Sequence, residues 1–358
     1  MKKRISIIGT VGIPAKYGGF ETLTEYLTLN LGCNYDMTVF CSSKNYKVKP
    51  VMHNNARLKY INLKANGIQS IPYDIISIFQ SLKNSDTLLI LGVSGCLAVP
   101  IVKLFSDKKI LVNIDGLEWK RDKWRWFTKW FLKFFEKIAV RFADEVITDN
   151  KVIKEYVKKE YNVESNLIAY GADHVSYEGL DEDILKKYAF LNDKYSFKVC
   201  RIEPENNIHV ILEAFSNSVH NKFVLVGNWE NSVYGKKLKA KYSSFKNISL
   251  LDPIYNQKTL NQLRSNCDIY IHGHSAGGTN PSLVEAMYLK LPIFAFGAHY
   301  NKETTGYKAL YFDNELELMT LLDNLNSKKL SVIAKDMKTI ANEKYTWKIV
   351  SNKYSELF

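Results

Sequence analysis

The sequence predicts an α/β chain of two Rossmann-like domains facing each other across a cleft. Three observations lead there: a length of 358 residues, an alternation of short β-branched runs with amphipathic stretches, and a restart of that alternation near the middle. One hydrophobic core usually stops growing at about 250–300 residues, so two cores of similar size are expected. Hydrophobic residues make up 46% and charged residues 24%, which excludes global disorder and a fibrous chain.

In the first half, Arg4–Gly9, Met37–Cys41, Leu58–Leu63, Thr87–Gly92, Ile110–Ile114 and Glu145–Thr148 read as strands, with helical patterns between several of them. Such alternation is the mark of βαβ units and of a parallel sheet covered on both faces. Thr87 to Val102 carries no charge, but Gly92, Gly95 and Pro100 interrupt it, and it is shorter than the ~20 residues of a membrane span. It reads as a strand, a turn and the start of a buried helix.

The second half repeats the pattern with strands Phe197–Cys200, Phe223–Gly227, Ile248–Leu251, Asp268–His272 and Pro292–Phe296, and with helices such as Val210–Phe215 and Pro281–Leu289. The periodicity breaks between Tyr170 and Asp193, where Gly171 and Gly179 fall. The expected organisation is a first Rossmann-like domain over 1–175, a second over 176–340, and a terminal helix over 341–358 packing back toward the first.

A net charge of +12 and a pI near 9.2 imply an anionic partner without choosing among nucleic acid, phosphorylated substrates and an acidic membrane. Cys33, Cys41, Cys96, Cys200 and Cys267 are odd in number and contain no C-x-x-C pair, which suits a reducing compartment and argues against disulfides and zinc. The apolar run after Met1-Lys2-Lys3-Arg4 ends at Gly9, well short of the ~7–15-residue core of an export signal.

Ligands of open parallel sheets bind outside the carboxyl ends of the strands, so the chemistry is sought in the strand-to-helix loops. After the first strand, Gly18 and Gly19 permit close backbone approach, and the next helix offers its N-terminal amides to an oxyanion or to sugar hydroxyls. No G-x-G-x-x-G fingerprint is present, which disfavours a dehydrogenase. In the second half, Asn280 is a good N-cap and Pro281 suits the first helical position. Gly277 and Gly278 can bring consecutive amides toward a diphosphate, and Glu285, about one turn inside the helix, can accept from ribose hydroxyls. Arg201 opens the second domain's first loop, where a planar guanidinium matches phosphate oxygens. Asp115 and Glu118 follow strand Ile110–Ile114, where a carboxylate can take a hydroxyl proton or fix a sugar.

The stretches Gly12-Ile13-Pro14-Ala15-Lys16-Tyr17-Gly18-Gly19-Phe20-Glu21-Thr22, Asn113-Ile114-Asp115-Gly116-Leu117-Glu118-Trp119-Lys120-Arg121, Arg201-Ile202-Glu203-Pro204-Glu205-Asn206-Asn207 and Gly278-Thr279-Asn280-Pro281-Ser282-Leu283-Val284-Glu285-Ala286 together resemble the retaining glycosyltransferases of family 4. That family has the GT-B architecture, and the resemblance is strongest to its bacterial rhamnosyltransferases of capsule and rhamnan assembly. It implies that Arg201, Asn206, His274, Gly278, Thr279, Asn280, Ser282, Leu283 and Glu285 form the donor site, with Gly18 and Gly19 closing over the donor. Asp115, Glu118 and Arg201 would carry the catalysis, by front-side attack assisted by the leaving phosphate, with no cofactor and no obligatory metal. The broader family usually has a lysine where this chain has Asn206 and a glutamate where it has Gly277; both departures belong to the rhamnosyltransferase-like branch. A 6-deoxy sugar lacks the C6 hydroxyl and needs fewer polar contacts there.

From Trp119 to Phe142, Trp124, Trp126, Phe127, Trp130, Phe131, Phe134 and Phe135 are interleaved with Lys123, Arg125, Lys129, Lys133, Lys137 and Arg141. The last five cations recur every fourth residue and make a basic stripe on a helix beside an apolar one of Phe127, Phe131, Phe134 and Ile138. Such a helix can lie in the headgroup region of an anionic membrane or pack its aromatics into a core. No recognition module accompanies the charge, so nucleic acid is not expected.

The resulting expectation is transfer of L-rhamnose from dTDP-rhamnose to a sugar on an undecaprenyl diphosphate carrier, by a cytoplasmic enzyme peripheral to the inner face of the cell membrane. The competing expectations are the same chemistry with another nucleotide sugar, a sugar-nucleotide epimerase, and a non-enzymatic basic protein that binds membrane or nucleic acid.

Overall fold

A computed structural model describes residues 1–16, 18–120 and 126–358. The chain divides into two compact units, Met1–Gly171 with Trp347–Phe358, and Ala172–Thr346. These boundaries lie a few residues from those read at 175 and 340. One helix runs through Lys344, so the return to the first unit begins only at Trp347.

The first unit runs β1 (Arg4–Ile8), α1 (Gly19–Leu31), β2 (Asp36–Ser42), β3 (Met52–His53), β4 (Ala56–Ile61), α2 (Ser70–Ser81), β5 (Thr87–Leu91), α3 (Val99–Phe105), β6 (Lys109–Asn113), α4 (Trp126–Phe142), β7 (Glu145–Thr148), α5 (Lys151–Tyr161) and β8 (Asn166–Leu167). Its strands form an eight-stranded sheet in the order β3-β4-β2-β1-β5-β6-β7-β8. Only the β3–β4 pair is antiparallel. The central strand β1 registers Ile7 against Val39 on one side and Leu89 on the other, all fully buried. Burial on both faces explains why β5 reads as a continuous apolar run. The helix following it is less buried than its composition suggested: Leu104 and Phe105 are exposed.

The second unit runs α6 (Glu182–Lys187), β9 (Tyr195–Val199), α7 (Ile208–Asn217), β10 (Lys222–Val226), α8 (Val233–Tyr242), β11 (Ile248–Leu251), α9 (Gln257–Ser265), β12 (Ile269–His272), α10 (Pro281–Tyr288), β13 (Ile293–Phe296), α11 (His299–Thr304), β14 (Leu310–Phe312), α12 (Glu315–Asp323) and α13 (Ser327–Lys344). Six strands, all parallel, follow the order β11-β10-β9-β12-β13-β14. The strand order turns back between β9 and β12, the kind of switch point at which such sheets bind ligands. The core on one face joins Ile211, Phe215, Phe223, Leu225, Ile269 and Ile271.

The last helix, α14 (Trp347–Leu357), belongs to the first unit. Trp347 stacks on Tyr26 at 4.6 Å between centroids, Tyr35 Oη lies 2.7 Å from Ser355 Oγ, and Asn113 Nδ2 donates to Tyr354 Oη at 2.8 Å. Among the described residues no helix is long and apolar enough to cross a membrane.

Candidate functional site

The second unit brings its two signature loops together. The loop after β9 carries Arg201 and a 3-10 turn over Pro204–Asn206; the loop after β12 carries His274 to Thr279. Ser275 N donates to the Glu205 carbonyl at 2.8 Å, Asn207 Nδ2 to the Gly273 carbonyl at 2.8 Å, and His274 Nδ1 lies 3.2 Å from Asn206 Oδ1. Gly273 is required for this approach, because a Cβ there would stand 2.2 Å from the Asn206 carbonyl oxygen. Asn301 Nδ2 donates to the His274 carbonyl at 2.7 Å and fixes the far side of the loop.

Several residues expected at the donor make hydrogen bonds inside the protein. Asn206 is buried, its amide nitrogen donating to the Arg201 carbonyl at 2.9 Å while its oxygen faces His274. His274 is itself 8% exposed. Leu283, expected at the donor, has a fully buried side chain, and its amide donates to the Asn280 carbonyl at 3.0 Å. Ser282 directs both its amide and its hydroxyl to Asn280 Oδ1, at 3.1 and 2.8 Å. The cap at Asn280 therefore consumes the first amides of α10.

What remains open is upstream. Among the described residues nothing bonds the amides of Gly277 and Gly278, and Gly277 has φ +100, a left-handed conformation suited to glycine. Arg201 is exposed, and no described residue forms an ion pair with its guanidinium. Two neighbouring amides and a guanidinium without a partner among the described residues can together donate to an oxyanion.

Glu285 is held from two sides. His174 Nε2 lies 3.1 Å from Oε1, and the fully buried Arg264 donates from Nη1 to Oε2 and from Nη2 to Asn261 Oδ1 at 3.1 Å. Burial pushes the carboxyl up, but the charge of Arg264 and the His174 bond outweigh it and hold it at about 2. Glu285 is thus ionised, and its oxygens keep lone pairs for a further donor. The sequence reading missed Arg264 and His174. Burial and the charge of Lys198 hold His272 far below its usual range, so its ring is neutral; neither nitrogen has a partner among the described residues.

In the first unit, Tyr17 and residues 121–125 lie outside the described residues, and with them Lys123, Trp124 and Arg125 of the basic aromatic segment. The loop after β1 is fixed by two glutamates of α1 that the sequence reading left unassigned: Lys16 N donates to Glu21 Oε2 and Ala15 N to Glu25 Oε2, both at 2.9 Å. Gly18 caps α1 without a side chain, leaving the helix start uncapped beside Gly19. After β6, Asp115 adopts φ +61 and its amide donates to Asn113 Oδ1 at 3.0 Å. Glu118 opens a 3-10 turn over Glu118–Lys120.

On α4, Trp126, Phe127, Trp130, Phe131 and Phe134 are 42–68% exposed, whereas Phe135 is buried. Lys137 and Arg141 are exposed, but Lys133 pairs with Glu160 at 2.7 Å. Among the described residues no group of three or more His, Cys, Asp or Glu side chains is placed to hold a metal ion.

Residues 2–173 match a family described as a domain of unknown function (DUF1972), and residues 181–307 match the family described as glycosyl transferases group 1. No curated protein matches the chain. Solved structures with the same fold include sucrose-phosphate synthase from Thermosynechococcus elongatus, 13% identical with a TM-score of 0.82 over 99% of this chain and 98% of that one. Anabaena HepE, solved with UDP, is 16% identical with a TM-score of 0.75 over 99% and 98%. The catalytic domain of starch synthase IV from Arabidopsis thaliana, solved with ADP and acarbose, is 12% identical with a TM-score of 0.72 over 99% and 98%. The fold is GT-B, the architecture these solved structures share with the chain.

Proposed function

We propose that this chain, a GT-B glycosyltransferase in fold and in its second domain, moves L-rhamnose from dTDP-rhamnose to a lipid-diphosphate-linked sugar in cell-surface polysaccharide assembly. The observation that carries a diphosphate donor is the pair of amides at Gly277 and Gly278 beside two loops stitched at Gly273, with the Arg201 guanidinium on the same loop cluster, none of them bonded to a partner among the described residues. HepE was also solved with UDP-glucose, which supports a nucleoside diphosphate sugar as the ligand class. Glycine at 277, in place of the glutamate usual in the broader family, favours a donor sugar with fewer polar groups.

Chemically, Arg201 and the two amides would stabilise charge developing on the departing diphosphate, and the ionised Glu285 would fix the nucleotide ribose. Asp115 or Glu118 would receive or orient the acceptor hydroxyl. The exposed aromatics of α4 beside Lys137 and Arg141 suit the headgroup region of an anionic leaflet, which favours a peripheral enzyme at the cytoplasmic membrane face.

The decisive experiment offers purified protein a panel of nucleotide sugars, with and without short-chain polyprenyl-diphosphate-linked monosaccharides. Transfer of rhamnose from dTDP-rhamnose supports the proposal. Transfer only from UDP-glucose replaces the donor, and epimerisation without transfer overturns the reaction.

A further inference from the structure

The described part of the loop that carries Asp115 and Glu118 is fastened at two points. At its start, Asn113 accepts the Asp115 amide at 3.0 Å and reaches Tyr354 of α14 at 2.8 Å. Directly after Glu118, Trp119 Nε1 donates to Glu136 Oε2 at 3.1 Å. Glu136 lies in the middle of α4, 2% exposed, and its other oxygen accepts from Tyr156 Oη and Tyr161 Oη of α5, each at 2.7 Å. Lys133, one turn earlier on α4, stands 4.9 Å above the Trp119 ring, and Lys120 stands 5.5 Å from it.

A buried carboxylate is costly unless both oxygens are bonded, and a leucine at 136 would pack α4 against α5 without that cost. What the carboxylate adds is direction: three aromatic donors converge on it, one from the acceptor-side loop and two from α5. A fully bonded buried network of this kind selects one arrangement of the elements it joins. The same helix turns its aromatic face outward, so the loop is indexed to the element that presents Trp130 and Phe131 to solvent.

We propose that Trp119 and Glu136 act as a positioning pair that sets the Asp115–Glu118 loop for the acceptor; this rests on the acceptor role assigned above to that loop. Neither residue takes part in bond making.

Trp119→Phe keeps the ring packing and removes the single N–H donor. Tyr156→Phe removes a bond to the same carboxylate on the side away from the loop. Both variants are compared with wild type using whichever acceptor of the panel supports turnover. In Trp119→Phe, amide exchange over 114–120 speeds up and acceptor KM rises about fivefold to tenfold, while affinity for the nucleoside diphosphate is unchanged. Tyr156→Phe lowers the thermal midpoint but leaves acceptor KM where it was. An unchanged acceptor KM in Trp119→Phe overturns the pair's role, as does an equal rise in Tyr156→Phe, which would mark the network as structural alone. A wild-type chain that transfers to no acceptor of the panel overturns instead the proposed function on which the pair depends.

Discussion

His174 Nε2 lies 3.1 Å from Glu285 Oε1, joining residues 111 positions apart at the point where the donor ribose is expected. Together with the Arg264 ion pair on the other oxygen, this contact presets both the ionisation and the orientation of Glu285 before any ligand arrives.

The first prediction follows from that pairing. Glu285 has a folded pKa of about 2, below its ordinary value of 4.5, so its stabilisation is complete above about 4.5 and is lost as pH falls toward 2. Glu285→Gln should flatten this acid limb of the stability profile, measured by urea unfolding between pH 6 and 3. Arg264→Met leaves a buried carboxylate without its main partner and should cost about 3–5 kcal/mol.

Arg201 presents the opposite case, since it is exposed and has no ionic partner among the described residues. Arg201→Lys keeps the charge and loses the planar fork, so stability should change by less than about 0.5 kcal/mol. Turnover should fall on the order of 10- to 100-fold, because a charge-stabilising donor is displaced. Steady-state kinetics beside a thermal melt separate the two effects, and an unchanged kcat/KM would remove Arg201 from the diphosphate site.

Gly273→Ala tests the stitching of the two loops. The added methyl meets backbone at 2.2 Å, which cannot yield as a flexible side chain would. Stability should drop by about 1–3 kcal/mol. Nucleotide affinity should drop as well, since Gly277 and Arg201 sit on the loops being forced apart. Calorimetric titration with the nucleoside diphosphate, done well below the variant's melting temperature, checks this.

Membrane contact is tested on the residues that are free to make it. Lys133 is paired with Glu160, so the informative changes are Trp130→Ser with Phe131→Ser, and Lys137→Gln with Arg141→Gln. The aromatic pair should lower sedimentation with phosphatidylglycerol vesicles at every salt concentration. The cationic pair should do so mainly at low salt, by about 1 kcal/mol per charge. Equal sedimentation of all three proteins would exclude α4 as the docking face.

The sequence by itself determined the backbone plan. Strands such as Glu145–Thr148 and Ile248–Leu251 stand where their β-branched runs placed them, and Asn280-Pro281 marks the start of α10, because these features depend on neighbours within a few residues. Two- and three-residue strands such as β3, β8 and β14 left no readable signal, being too short for any periodicity. Tertiary structure alone decided how the polar groups are used. It gave Glu285 to Arg264 and His174, gave Glu136 to Trp119, Tyr156 and Tyr161, and committed Asn206 and Leu283 to the protein interior. A carboxylate's partner is whichever donor the packing of distant elements delivers within about 3 Å, and no local pattern along the chain encodes that distance.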